Sequence, residues 1–149
     1  MKRCTTALLI VFACVLSGCA LTSHHLDVPR ITAEVAVKQV GSGGVTLLDV
    51  RAPQERVGRE IARSIRVQFG ADRWGSAIGE LEGERFLLAV ARVADKTDEV
   101  LVICNQEIRS AAAVRLLRFN GYLNASSIAG GYMGTHGEPG WYFFEELSP

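Results

Sequence analysis

The chain has 149 residues, of which 48% are hydrophobic and 21% are charged, with 16 Lys and Arg against 16 Asp and Glu. This size fits one globular domain, and the apolar content excludes a disordered chain. A formal net charge of zero, without a long basic stretch, argues against electrostatic binding of nucleic acid. Fifteen Gly and four Pro are close to average usage, which excludes a collagen-like or low-complexity chain.

The N-terminus has the pattern of an export signal. Lys2 and Arg3 precede an apolar run from Ala7 to Leu16. This run is too short to cross a bilayer, since a helical span needs about 20 residues. The run ends in small residues directly before Cys19. We therefore interpret residues 1–18 as a signal peptide.

The sequence Leu16-Ser17-Gly18-Cys19 resembles the lipobox of bacterial lipoproteins. The resemblance implies that Cys19 is diacylated and becomes the new N-terminus, and two acyl chains anchor a soluble domain stably where one does not. Because Ala20 rather than Asp follows the cysteine, it also implies transfer to the outer membrane of a Gram-negative cell, facing the periplasm. The alternative is an ordinary signal peptide cut nearby, or an N-terminal helix that stays attached.

Cleavage before Cys19 changes the cysteine content of the chain. It removes Cys4 and Cys14 and leaves 14 basic and 16 acidic side chains. Because Cys19 would carry lipid, Cys104 is then the one free thiol, and no intramolecular disulfide is possible. Exported proteins usually pair their cysteines, so an unpaired one is either buried and inert or reactive.

Residues 19–30 are predicted to be the lipidated cysteine and a tether, because the segment has no apolar periodicity. A single domain is predicted over residues 31–149. His24 and His25 are adjacent in the tether, and His136 is isolated. We interpret all three as solvated side chains, and we predict neither a metal site nor an organic cofactor.

From Ile31 onward, strand-like and helix-like patterns alternate. Thr32 is expected to cap a helix through Val40 that ends at Gly41. Strands are predicted over residues 45–50, 65–67, 100–104 and 125–128, a short helix from Pro53, two helices within 76–94, and a helix over 109–120. This alternation is typical of crossover units in a mostly parallel sheet with helices on both faces, an α/β fold in three layers.

Cys104 ends the strongest strand pattern of the chain, and a helix begins five residues later. In such sheets ligands bind at the carboxyl ends of strands, where a helix N-terminus offers unpaired N–H groups and the positive end of its dipole. The loop is therefore expected to hold an anion and to favour a nucleophilic thiolate. From position alone, a cysteine that only packs at the strand end is the alternative.

Several motifs together resemble one known family. The chain reads Cys104-Asn105-Gln106-Glu107-Ile108-Arg109-Ser110 between the strand and the helix, and Ile128-Ala129-Gly130-Gly131 after the next strand. Upstream it reads Leu47-Leu48-Asp49-Val50-Arg51 and, earlier, Ile31-Thr32-Ala33-Glu34. In this order and at this spacing, the motifs resemble the rhodanese homology domain over residues 31 to about 142.

This resemblance implies transfer of sulfane sulfur. The active cysteine of a rhodanese takes sulfur from a donor such as thiosulfate, holds it as a persulfide and passes it to an acceptor such as cyanide or a thiol. Cys104 matches that cysteine, and the amides from Asn105 to Ser110 would stabilise the thiolate and the persulfide. The six-residue loop from Cys104 to Arg109 has the sulfurtransferase length, whereas related phosphatases use a loop one residue longer.

The resemblance also gives roles to side chains around the loop. Arg109 matches an arginine that braces the loop or meets an anionic donor, the alternative being a helix-surface arginine. Ser110 is expected to cap the helix rather than to bond the loop backbone. Asp49 and Arg51 are expected to support the loop, through an ion pair with Arg109 or a bond to its backbone. Gly130 and Gly131 would let the backbone approach the loop closely.

The loop departs from the family at Glu107, where the family favours glycine. A glutamate lacks glycine's freedom to adopt positive φ. A carboxylate that faced the thiolate at about 6 Å would repel it by roughly 2 to 3 kcal/mol at an effective dielectric near 20, whereas one facing water would have a small effect. In either case we expect an anionic donor to be repelled, and Asn105 and Gln106 supply no cation.

The segment after Glu55 departs as well. Arg56, Arg59, Arg63 and Arg66 recur there at spacings of three to four residues. We interpret them as a solvated charged face, with a cationic rim that attracts anionic donors or a partner as the alternative.

Two hypotheses about function follow. The first is a working sulfurtransferase that prefers neutral or weakly charged donors, with a thiol or cyanide as acceptor and the membrane reached through the lipid anchor. The second is a catalytically weak rhodanese-fold module that binds a partner or senses redox state.

Overall fold

The computed structural model describes residues 27–70, 79–135 and 137–146 of the chain. The strands in this part are β1 (Arg30–Ile31), β2 (Thr46–Asp49), β3 (Ser64–Arg66), β4 (Val100–Ile103) and β5 (Ala125–Ile128). The helices are α1 (Ala33–Ser42), α2 (Pro53–Arg56), α3 (Glu80–Val90), α4 (Ile108–Phe119) and α5 (Trp141–Glu145). None of these helices combines the length and the apolar character needed to cross a membrane.

The strands form one parallel sheet in the order β1-β5-β4-β2-β3. Strands β2 and β4 are neighbours, and Asp49 lies opposite Ile103 in their register. The carboxyl ends of these two strands therefore meet at one edge of the sheet. This register brings Asp49 and the residues after it close to Cys104.

Both faces of the central strands are buried, as their continuous apolar runs predict. Leu48 and Val102 face one core, which they share with α3 and α4. Their chain neighbours Leu47 and Leu101 face the other core, which includes Ala36 of α1 and other residues of α1 and α5. Alternate residues thus serve opposite faces, and the predicted three-layer α/β fold is confirmed.

Helix α1 begins as the sequence predicts and ends later. The Thr32 side chain accepts a hydrogen bond of 3.4 Å from the Val35 N–H and so caps the first turn. The helix continues to Ser42, and Gly43, at φ 80°, ends it with its N–H bonded to the Gln39 and Val40 carbonyls. The predicted end at Gly41 was therefore two residues early.

Within residues 79–94, the prediction of two helices is wrong. Helix α3 runs unbroken from Glu80 to Val90, with Gly83 buried inside it. A Cβ at Gly83 would lie 3.3 Å from the Leu116 side chain. This glycine therefore permits close packing of α3 on α4 instead of interrupting the helix. Residues 76–78 lie outside the described part of the chain.

The ends of the described chain hold two elements that the sequence pattern did not predict. Strand β1 pairs Arg30 with Ser127 and Ile31 with Ile128, so the sheet already includes the last residue of the predicted tether. Helix α5 packs Trp141 into the core beside α1. Most of the tether, from Cys19 to Leu26, lies outside the described residues.

Candidate active site

Cys104 follows the last residue of β4, and only 1% of it is exposed. Its carbonyl accepts a 2.8 Å hydrogen bond from the Tyr132 N–H, and the Asn105 carbonyl accepts one of 3.1 Å from the Met133 N–H. The loop that begins at Cys104 is therefore joined, backbone to backbone, to the segment that follows β5.

Close approach of these two segments depends on glycine. A Cβ at Gly131 would lie 2.7 Å from the Cys104 carbonyl oxygen, and Gly131 has φ +63°. Gly130 has φ +74°, and its N–H donates a 3.0 Å hydrogen bond to Glu107. Side chains at these positions would clash or be strained, in line with the role that the sequence suggested for both glycines.

The thiol of Cys104 lies beside two hydroxyl groups. Its Sγ is 3.5 Å from Ser110 Oγ. The Ser110 hydroxyl donates to the Glu107 carbonyl at 2.9 Å and accepts from Ser127 Oγ at 2.9 Å. The expected helix cap by Ser110 is therefore wrong, because this hydroxyl bonds the loop backbone. Ser127 was missed, since a buried serine in a strand gives no sequence signal of its own.

Glu107 takes the place that the family gives to glycine and keeps a left-handed backbone, with φ 69° and ψ −23°. Its carboxylate is 2% exposed and therefore does not face water. It accepts hydrogen bonds from both Arg30 Nε and Arg30 Nη2, the latter at 2.8 Å. The hydrogen bond to Glu107 raises the pKa of Arg30, against the effect of burial. Because this cation offsets the carboxylate, the expected repulsion of anionic donors by Glu107 loses its basis.

Arg109 is 1% exposed and donates from Nη2 to Glu55 Oε1 at 2.7 Å. Glu55 also accepts a 2.8 Å hydrogen bond from the Ala52 N–H. Burial raises the pKa of Glu55, but the hydrogen bonds from Arg109 and Ala52 outweigh it and hold that pKa below its usual value. The helix-surface alternative for Arg109 is therefore excluded, and its carboxylate partner comes from α2 rather than from Asp49.

Asp49 and Arg51 pair with each other. Arg51 Nε and Nη2 donate to the two Asp49 oxygens at 2.9 and 2.8 Å, and both side chains are buried. Arg51 also donates to the Arg59 carbonyl at 2.8 Å and lies 4.2 Å over the ring of Tyr132. The expected ion pair of Asp49 with Arg109 is thus wrong. This pair supports the loop indirectly, through Tyr132.

The remaining loop residues border solvent. Ile108 begins α4, and its N–H donates to the Gln106 carbonyl at 3.0 Å. Gln106 is exposed and lines an open cleft of about 770 Å³. Other residues of this cleft are Met133, Gly134, Thr135, Tyr142 and Phe143. The loop therefore has a buried side, which carries the thiol, and an exposed side.

The arginines after Glu55 have different partners. Arg63 donates to the carbonyls of α1, and Arg66 pairs with Glu60. Arg59 contacts Met133 Sδ at 3.6 Å, on the lining of the cleft. Of these three, Arg59 is therefore the one that contacts a residue of the cleft.

Comparison with known proteins assigns the family. The model of the rhodanese-like domain matches residues 32–138, and the chain therefore belongs to the rhodanese-like family. It is 32% identical over 114 residues to the rhodanese-like domain-containing protein 10 of Arabidopsis thaliana, which covers 62% of this chain. The chain spans about half the length of that relative, 53%.

Solved structures share the fold. A rhodanese-related protein of Thermoplasma volcanium is 26% identical with a TM-score of 0.54, and the match covers 81% of this chain and 95% of that one. A human single-domain sulfurtransferase is 21% identical with a TM-score of 0.51, and the match covers 70% of this chain and 91% of that one.

Three residues of the sequence predictions lie outside the described part of the chain: Cys19, His24 and His25. The isolated His136 lies outside it as well. Among the described residues, no group of three or more His, Cys, Asp or Glu side chains is placed to hold a metal ion.

Proposed function

We propose that this protein is a single-domain sulfurtransferase in which Cys104 carries sulfur as a persulfide. The observation that carries the proposal is the position of Cys104, which follows the last residue of the central strand β4, four residues before α4 begins at Ile108. The first N–H groups of a helix have no acceptor within the helix and lie at the positive end of its dipole. We expect a sulfur anion at this place to gain hydrogen bonds from these N–H groups.

The proposed reaction has two displacement steps. The Cys104 thiolate attacks the outer sulfur of a donor R–S–SH, the donor S–S bond breaks, and RS⁻ leaves. The enzyme now carries Cys104–S–SH. An acceptor thiolate or cyanide then attacks the outer sulfur, and the Cys104 thiolate leaves with the electron pair of the broken S–S bond. With thiosulfate as donor, the group that leaves in the first step is sulfite.

The charges around the loop favour a donor of low charge. Arg30 pairs with Glu107, Arg51 with Asp49 and Arg109 with Glu55. Each of these three cations is thus matched by a carboxylate, and a dianion such as thiosulfate gains little net attraction from them. We therefore propose organic persulfides or polysulfide as better donors than thiosulfate.

The test is steady-state formation of thiocyanate from cyanide, with thiosulfate and with an organic persulfide, beside Cys104→Ser. We expect turnover that requires Cys104 and a higher kcat/KM for the persulfide. Higher kcat/KM for thiosulfate would contradict the donor preference alone. Absence of turnover with both donors, on a thiol shown to be reduced, would contradict the proposal that the protein is a sulfurtransferase.

A second candidate is a module that binds a partner or senses redox state. The burial of Cys104, of which 1% is exposed, favours it, because sulfur transfer needs access to the thiol. This candidate predicts that neither donor adds sulfur, while an oxidant or a thiol reagent still modifies Cys104 slowly. The intact mass of the protein separates the two candidates.

We also propose that the domain is tethered in the cell envelope by lipid on Cys19, facing the periplasm from the outer membrane. The support is the sequence Leu16-Ser17-Gly18-Cys19 after a short apolar run. In a Gram-negative host, we expect the protein in the membrane fraction and an N-terminal peptide that begins with a diacylated Cys19. Cys19→Ala should abolish that modification. An unmodified N-terminal peptide in the wild type would contradict the anchor.

A further inference from the structure

We propose that Arg30 is a positioning residue for the Cys104 loop, which it fixes through its ion pair with Glu107. The effect of Arg30 on sulfur transfer rests on the proposed function, whereas its effect on the position of the loop does not. At this place of the loop the family favours glycine, which adopts positive φ without strain. In this chain an arginine from the first strand holds a glutamate in the same backbone conformation.

The geometry joins three separate segments at Glu107. Its carboxylate accepts from both Arg30 nitrogens that face it, and from the N–H of Gly130. These donors come from β1 and from the turn after β5, so the side chain is held from two directions. Since a non-glycine residue at positive φ is strained, these hydrogen bonds stabilise a turn that Glu107 would otherwise leave.

The backbone of Glu107 links this contact to the thiol. The Glu107 carbonyl accepts hydrogen bonds from Ser110 Oγ at 2.9 Å and from the Ala111 N–H at 2.9 Å. Ser110 Oγ is in turn 3.5 Å from Cys104 Sγ. A change in the Glu107 backbone would therefore move the hydroxyl beside the sulfur and the start of α4. Arg30 acts through Glu107 and does not touch the reacting atoms.

Charge gives Arg30 a second effect on the loop. Its side chain is 32% exposed, and it also lies 3.7 Å from a carboxylate oxygen of Glu138. Without Arg30, the buried Glu107 carboxylate would lose its cation while it stays in the loop. An uncompensated buried anion disfavours a thiolate nearby. Arg30→Ala should therefore slow the reactions of Cys104 more than the removal of both partners does.

The experiment uses the full-length chain with Cys4, Cys14 and Cys19 changed to Ser, so that Cys104 is the only thiol. Two rates are measured at neutral pH: alkylation of Cys104 by iodoacetamide, an uncharged reagent, and addition of sulfur from an organic persulfide. The variants are Arg30→Ala, Arg30→Lys, Glu107→Gly and the double variant Arg30→Ala with Glu107→Gly. Lys38→Ala is the control, because it breaks an exposed ion pair with Glu34 on α1.

Arg30→Ala should lower both rates about tenfold, because it leaves Glu107 buried and unpaired. The double variant should recover most of each rate, since glycine adopts the left-handed turn without support. Arg30→Lys should recover part of it, because it keeps the charge but not the two-nitrogen contact. Lys38→Ala should leave both rates unchanged.

Wild-type rates in Arg30→Ala, or a double variant as impaired as Arg30→Ala, would overturn the proposal. If Arg30→Ala does not fold, the comparison of Arg30→Lys with the double variant decides, and equal loss in both overturns it. Because alkylation needs no sulfur transfer, failure of the proposed function leaves a distinct result: the wild type takes up no sulfur, while the alkylation rates still follow the predicted order.

Discussion

Two neighbouring strands end at the same edge of the sheet, and their ends are built differently. At the end of β2, Asp49 pairs with Arg51, two residues away, and both are buried. At the end of β4, the charged side chains of the loop pair with distant segments. Glu107 meets Arg30, 77 residues away, and Arg109 meets Glu55, 54 residues away. One end is held by a local contact and the other by the assembled fold.

The two strand ends therefore have different roles, one in supporting the fold and the other in the chemistry of Cys104. The β2 end has a buried ion pair whose arginine, Arg51, lies 4.2 Å over the ring of Tyr132. The β4 end places the Cys104 thiol before the N-terminus of α4. Its charged side chains, Glu107 and Arg109, pair with residues of other segments. We expect substitutions at the β2 end to act mainly on stability and substitutions at the β4 end to act also on the reactivity of Cys104.

The largest expected effect is on the β2 end. Asp49→Ala leaves Arg51 fully buried without its carboxylate, which should lower the free energy of unfolding by about 3 to 5 kcal/mol. Urea denaturation followed by circular dichroism measures this value. The control Lys38→Ala breaks an exposed pair and should cost about 0.5 kcal/mol or less. Equal losses in the two variants would show that the Asp49–Arg51 pair does not support the fold.

The second largest loss of stability is expected from the contact between the loop and the segment after β5. Gly131→Ala places a Cβ 2.7 Å from the Cys104 carbonyl oxygen at φ +63°, so we expect a loss of about 2 to 3 kcal/mol from clash and backbone strain together. Gly58→Ala is a matched control, because Gly58 has φ +66° with nothing within 4 Å of an added Cβ. If both variants lose the same stability, close packing on the loop is not the reason for Gly131.

The smallest loss of stability is expected from the contact between Arg109 and Glu55. Glu55→Gln removes the charge from its contact with Arg109 and should cost about 1 to 2 kcal/mol at pH 7. Because the pKa of Glu55 is lowered in the folded state, its contribution is present above its unfolded pKa of about 4.3 and is lost as the pH falls through the folded value.

The stability difference between wild type and Glu55→Gln should therefore shrink below about pH 4. Denaturation at a series of pH values from neutral to acidic measures this trend. A constant difference across the series would contradict the ionised Glu55–Arg109 contact.

The sequence predicted the layers of the fold and the place of the candidate site, because apolar runs and helix starts are local signals. The strand at Val100–Ile103 and the loop after it follow directly from such signals. The partners of Glu107 and Arg109 could not be predicted in this way, since both contacts join segments more than 50 residues apart. Arg30 was assigned to a tether because two residues of strand carry too little pattern to be recognised.

The role of Ser110 shows the same limit on a smaller scale. A serine near a helix start favours a cap, but its hydroxyl is directed by Ser127 on the neighbouring strand. That contact depends on how α4 packs on β5. Local preference was therefore overridden by packing.

Intact mass spectrometry of the reduced full-length chain, with Cys4, Cys14 and Cys19 changed to Ser, tests the central claim most directly. The protein is incubated with an organic persulfide and, separately, with thiosulfate, beside the same chain with Cys104→Ser. We predict a gain of one sulfur atom, about 32 Da, that requires Cys104 and disappears on addition of cyanide or a thiol. An unchanged mass with both donors would contradict Cys104 as a sulfur carrier.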